Sequence, residues 1–165
     1  MSAQPIAAVE EVPDEDQISR ACFSLPSVID PESAFKFERD PQGERIESVF
    51  WRKYAVLISD VHGHGCQIEQ QKNIRLGSQG KPLKKYCGAT TAGVGPIRTI
   101  LSGRGFRFSV VHCPESGNAA HSHIGIAAPP RLAKPNKNDM RELISKLARE
   151  FGKLEGHDCA RPRND

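Results

Sequence analysis

Three histidines stand close together late in the chain: His112, then eight residues, then His121 and His123 with Ser122 between them. Neutral imidazole is the commonest protein ligand for borderline divalent ions. Three imidazoles on one ion leave coordination positions for water or a phosphate oxygen, which is what Lewis-acid catalysis requires. Residues two apart in a strand share a face, so His121 and His123 point the same way. If the hairpin closes with Cys113 facing Ala120, His112 lies across from His121, and opposed Cβ atoms stand about 4.5–5.5 Å apart. The expected cofactor is a divalent ion, zinc, manganese or magnesium, held by His112, His121 and His123. Glu115, in the turn between them, is a candidate catalytic carboxylate, and with His112 and Cys113 it could also form a thiol site.

The stretch from His112 to His121-Ser122-His123-Ile124 resembles the metal-binding strand of HUH-type nucleases, the relaxases and replication initiators. That resemblance implies a histidine pair on a central antiparallel strand and a tyrosine that attacks a DNA phosphodiester and stays attached to it. Tyr54 and Tyr86, the two tyrosines of the chain, are then the nucleophile candidates. A second stretch, Ala55 to His64, resembles the first motif of calcineurin-like metallophosphoesterases, in which a strand ends in Asp-x-His, here Asp60 and His62. The remaining motifs of that family do not follow. Without either resemblance, His62 and His64 read as loop or helix-surface residues, and the three later histidines as half-buried strand residues bonded to their neighbours.

Phosphate chemistry needs cations. Residues 1–50 carry 11 acidic and 4 basic side chains, and residues 51–165 carry 9 and 19, so a basic body follows an acidic lead that could shield it. Lys84, Arg98 and Arg107 are the candidate phosphate-binding residues. Lys84 and Arg107 neighbour the aromatics Tyr86, Phe106 and Phe108, although the shared parity of Phe106, Phe108, Val110 and His112 favours burial of those rings. Val94 and Gly95 open a short helix whose free N–H groups could receive a phosphate beside Arg98. The P-loop lysine is missing after Gly88-Ala-Thr-Thr-Ala-Gly93, which excludes that nucleotide site. The five cysteines form no Cys-x-x-Cys pair, so reduced thiols in a cytoplasmic protein are expected. No secretory signal or long apolar run is visible, and no membrane association is expected.

The elements that must position these residues follow from spacing. Residues 1–17 read as a disordered acidic lead, 18–156 as one domain, and 157–165 as a tail. Ile46, Val49, Phe50 and Tyr54 suit a helix face, while 54–58 could equally be a buried strand. Residues 106–113 and 120–127 read as a β-hairpin about the turn at Pro114 to Asn118. Met140, Leu143, Ile144, Leu147, Ala148, Phe151 and Leu154 recur in steps of three and four, a helix face, with Asp139 and Glu142 as a capping-box-like start. The fold class is α+β: a single domain with an antiparallel sheet, the hairpin near its centre, and a C-terminal amphipathic helix packed on it. The expected function is that of a hydrolase, a metal-dependent phosphodiesterase or nuclease acting on nucleic acid or a nucleotide. The alternative is a non-catalytic small binding or regulatory protein whose histidines are structural and whose basic face meets nucleic acid or an acidic partner.

Overall fold

A computed structural model describes residues 10–23 and 35–160. Residues 1–9 of the expected lead, Leu25, Val28 and Ile29 of the proline-rich stretch, and residues 161–165 of the expected tail lie outside the described residues. The elements are β1 (Glu10–Glu11), β2 (Gln17–Cys22), β3 (Glu38–Arg39), β4 (Arg45–Trp51), α1 (Ile58–Ser78), β5 (Gly88–Gly93), α2 (Val94–Arg98), β6 (Arg107–His112), β7 (His121–Ala127), α3 (Lys137–Glu150) and β8 (Glu155–Gly156). The strands form one antiparallel sheet in the order β1-β6-β7-β4-β2-β5-β8, with β3 also paired to β4. The architecture is therefore α+β with an antiparallel sheet. Among the described residues, no helix is long and apolar enough to cross a membrane.

Strand alternation divides the core in two. Ile18, Val49, Trp51, Phe108, Val110 and Ile124 bury one face of the sheet against Ile97 of α2 and Leu143 and Leu147 of α3. Each side chain fully buried in this way contributes about 1.5–3 kcal/mol. On the other face Phe50 and Ala89 meet Val61 of α1, with Ile58 and Ile68 packed beside them. Residues 45–51 are thus a strand and not a helix, because Val49 and Trp51 are needed on one side while Phe50 is needed on the other.

The acidic lead is corrected from Glu10 onward. Glu10 and Glu11 pair with β6, Val12 is fully buried, and the main-chain carbonyls of Asp16 and Asp14 accept the N–H groups of Val94 and Gly95. Those two N–H groups are the ones expected to receive a phosphate, so the start of α2 is already occupied by the chain itself.

Helix α3 begins earlier than the sequence pattern indicates and is followed by β8, so it is not the last element. Asn136 is the N-cap: its side chain accepts from the Asp139 N–H at 2.9 Å, and Asp139 accepts from the Asn136 N–H at 2.9 Å. Asp139 is only 3% exposed and also takes hydrogen bonds from Ser102 Oγ at 3.1 Å and Arg104 at 2.8 Å. It ties the turn before β6 to the helix that covers the core.

Candidate functional site

The hairpin register decides where the three histidines go. Glu115 pairs with Asn118 in the turn, but Cys113, two residues back, already bonds to His121, three residues on. The extra residue makes a bulge at Ala119 and Ala120. Pro114 has no N–H to continue the ladder, and the Ala120 carbonyl instead accepts from Trp51 N at 2.8 Å. Beyond the bulge His112 faces Ser122, and Val111 faces His123. A one-residue slip moves side chains to the opposite face. His112 therefore lies on the face with Trp51, and His121 and His123 lie on the other, so the expected three-imidazole centre is not assembled.

His112 is held on both ring nitrogens, by Glu10 at 3.2 Å and the Ala119 carbonyl at 2.7 Å. Tyr54 stacks on it with ring centroids 4.8 Å apart, and Trp51 meets it edge-on at 5.0 Å. Tyr54 is 43% exposed but belongs to this aromatic stack, on the opposite side from His121 and His123. These contacts account for His112 as a packing residue.

On the other face, His121 Nδ1 donates to the Cys113 carbonyl at 2.7 Å and lies 3.4 Å from Glu115. His121 and His123 meet edge-to-face at 4.7 Å. Burial, reinforced by the neighbouring His121, holds the His123 imidazole below its usual range. An unfolded chain therefore takes up this proton at a higher pH than the folded one, so stability falls as pH drops through the ordinary histidine range. The melting temperature is expected to decline from pH 7 to pH 5, and His123→Gln to flatten that decline in part, since His62 is also held low by burial. An unchanged pH slope in the variant contradicts the assignment.

The remaining expectations separate widely. Tyr86 is fully buried, its hydroxyl sharing a hydrogen bond of 2.9 Å with His62 Nδ1, and desolvation drives its pKa far up. It is not an available nucleophile. Asp60 and His62 do not end a strand. They sit in the first turns of α1, where the Asp60 carboxylate accepts the Leu57 N–H at 2.8 Å, so the metallophosphoesterase-like chelate is absent. Arg98 is paired with Asp14 and Glu11 and donates to the Val110 carbonyl. Arg107 is exposed at the start of β6, away from Lys84.

Two groupings come from structure instead. The first is the far end of α1 and the segment that returns from it. Residues 70–86 hold five basic side chains and no acidic one. Only Val61, His62 and Gly65 of α1 are buried, all in its first half, and Ile74 is 70% exposed. Asn73 clamps the returning segment by donating to the Lys84 carbonyl and accepting the Lys84 N–H, both at 2.8 Å. That clamp brings Lys84 beside Lys72 and Arg75. Lys72 lies over the Phe23 ring at 4.5 Å, and its ammonium pKa is lowered by burial first and then by the charge of Lys84, with a smaller push from Arg75, against the opposing pull of Glu38 and Glu47. No carboxylate of a described residue is within ion-pair distance of Lys72, Arg75, Lys81 or Lys84.

The second grouping joins the root of α1 to the end of the chain. Cys66 of α1 is disulfide-bonded to Cys159, and His157 lies with them, the three ligand atoms all within 4.8 Å of one another. The expectation of five reduced thiols fails here, while Cys22, Cys87 and Cys113 remain free. Five cysteines without a close pair give no sequence signal for this contact, because the two partners are 93 residues apart. A group of this composition is close enough to hold a metal ion. The chain matches no known protein family, no characterised protein and no solved structure.

Proposed function

We propose that the protein is a non-catalytic nucleic-acid-binding protein that contacts the phosphate backbone through the basic end of α1 and its returning segment. The observation that carries this reading is the clustering of Lys72, Arg75 and Lys84, with Lys81 just past the end of the same helix, and no carboxylate of a described residue within ion-pair distance; Glu38 and Glu47 act on Lys72 only from farther away. Burial is the first cause of the lowered Lys72 pKa, and the neighbouring charges of Lys84 and Arg75 add a repulsion that a polyanion would relieve. Helix packing supports the same reading, since Val61, His62 and Gly65 anchor the first half of α1 and no residue of its second half is fully buried. Binding fits the geometry better than hydrolysis does, because His112 lies on the opposite face from His121 and His123 and neither tyrosine stands beside that pair.

The test is salt dependence. Binding of a labelled oligonucleotide is expected to weaken linearly on a log–log plot of affinity against salt, with a slope near −0.9 per phosphate contacted on duplex and about −0.7 on a single strand. The double variant Arg75→Gln/Lys84→Gln is expected to reduce the magnitude of that slope by roughly 1.5–2 and to weaken binding at low salt. Arg107→Gln, far from the cluster, should leave both unchanged. If the double variant binds like the parent, or if polyglutamate binds and the oligonucleotide does not, the nucleic-acid reading fails.

A further inference from the structure

We propose that Cys66, Cys159 and His157, once the disulfide is reduced, form a binding site for a zinc-like divalent ion, so that disulfide and metal-bound forms are alternative states of one centre. The site is independent of the basic surface and stands on its own geometry. Strand β8 pairs with β5 through Gly88 opposite Gly156 and Ala89 opposite Glu155, and the His157 N–H donates to the Cys87 carbonyl at 3.0 Å. These main-chain contacts carry His157 and Cys159 over α1 whatever the state of the sulfurs. Gly88 has φ +138° and lies against the Glu155 main chain, an approach that only a residue without Cβ permits.

The donor set selects the ion. Two thiolates and an imidazole are soft to borderline ligands, which suit zinc and do not suit magnesium or calcium. A tetrahedral zinc with Zn–S near 2.3 Å and Zn–N near 2.0–2.1 Å holds its ligand atoms roughly 3.3–3.8 Å apart. The three donor atoms already lie within 4.8 Å of one another, and the two cysteine Cα atoms are 5.6 Å apart, so side-chain rotation is enough to seat one ion.

His62 neighbours the set but lies outside its 4.8 Å group, and it joins as a fourth ligand only if its ring turns out of the stack with His157. It is one helical turn before Cys66 on α1, and its ring stacks on His157 with centroids 4.4 Å apart. Its Nδ1 is engaged with the Tyr86 hydroxyl, leaving Nε2 as the nitrogen available to a metal. A buried hydroxyl on the far ring nitrogen is the kind of partner that orients a ligating histidine.

The conversion balances with a dithiol as reductant. Its two S–H bonds break and one S–S bond forms within it, the Cys66–Cys159 bond breaks, and two electrons and two protons pass to give two thiols. A divalent ion then displaces those two protons as the thiolates bind it.

Cobalt(II) reads the site directly. The 165-residue chain, reduced with a dithiol and desalted without oxygen, is expected to bind one cobalt per chain with thiolate-to-metal charge-transfer bands and the intense visible bands of tetrahedral geometry, both abolished by added zinc. The oxidised protein should show neither. His157→Ala, which leaves the main-chain contacts in place, is expected to weaken cobalt binding at least about tenfold, and Cys66→Ser/Cys159→Ser to abolish the charge-transfer bands. Cys113→Ser should behave like the parent. The proposal is overturned if the reduced protein gives no tetrahedral spectrum, or if His157→Ala, folded by circular dichroism, binds cobalt as tightly as the parent.

Discussion

Gly65→Ala is expected to destabilise the protein by about 2 kcal/mol or more, whereas Gly63→Ala, one turn-fraction away on the same helix, is expected to be neutral or stabilising by up to about 1 kcal/mol. The contrast comes from a single ring. A Cβ at Gly65 would fall inside contact distance of Cε2, Cζ and Cδ2 of Tyr86, while a Cβ at Gly63 meets nothing within 4 Å. Tyr86 has no room to yield: it is fully buried, its hydroxyl is bonded to His62, and its main-chain N–H is held by Glu69. Alanine also improves intrinsic helix propensity at both positions, so the difference between the two variants isolates the steric cost. Urea denaturation of the pair measures it. Equal midpoints for both variants would mean that α1 does not rest on Tyr86 as described.

Sequence reading reached some of this architecture because its signals are local. The alternating run Phe108, Val110, Ile124 and Ile126 faces the core across the β6–β7 pair, and Met140, Leu143 and Leu147, in steps of three and four, are buried in α3. The parity of Phe108, Val110 and His112 already placed His112 on the core face. What failed was register, because the bulge at Ala119 and Ala120 shifts β7 by one residue and no composition rule marks it. The grouping of the candidate site residues was not legible for a different reason. Lys84 was visible as a cation, but its juxtaposition with Lys72 and Arg75 depends on the two hydrogen bonds from Asn73, a side chain with no motif around it. Asp14 and Glu11 read as solvated charge, yet they neutralise Arg98, one of the residues the sequence offered for phosphate. Cys66 and Cys159 meet only because β8 pairs at the edge of β5, and that pairing involves two residues on each strand.

Reducing the Cys66–Cys159 bond in the absence of metal is expected to lower stability by about 4–5 kcal/mol, the chain-entropy value for a crosslink closing a loop of this length. The separation of 93 residues encloses β5 through β8 together with α2 and α3, so the bond restrains more than half of the unfolded chain. Its effect on the native state should be small by comparison, since the β5–β8 ladder and the His157 N–H bond to Cys87 hold the two ends together without it. The loss should therefore appear through the denatured ensemble: urea unfolding of the reduced protein in the presence of a chelator is expected to give a lower midpoint together with a larger m-value, because the uncrosslinked chain exposes more surface. Cys66→Ser/Cys159→Ser should reproduce both changes without a reductant. A loss below about 1 kcal/mol, with the m-value unchanged, would place the crosslink outside the cooperative unit and leave the end of the chain fraying independently of the sheet.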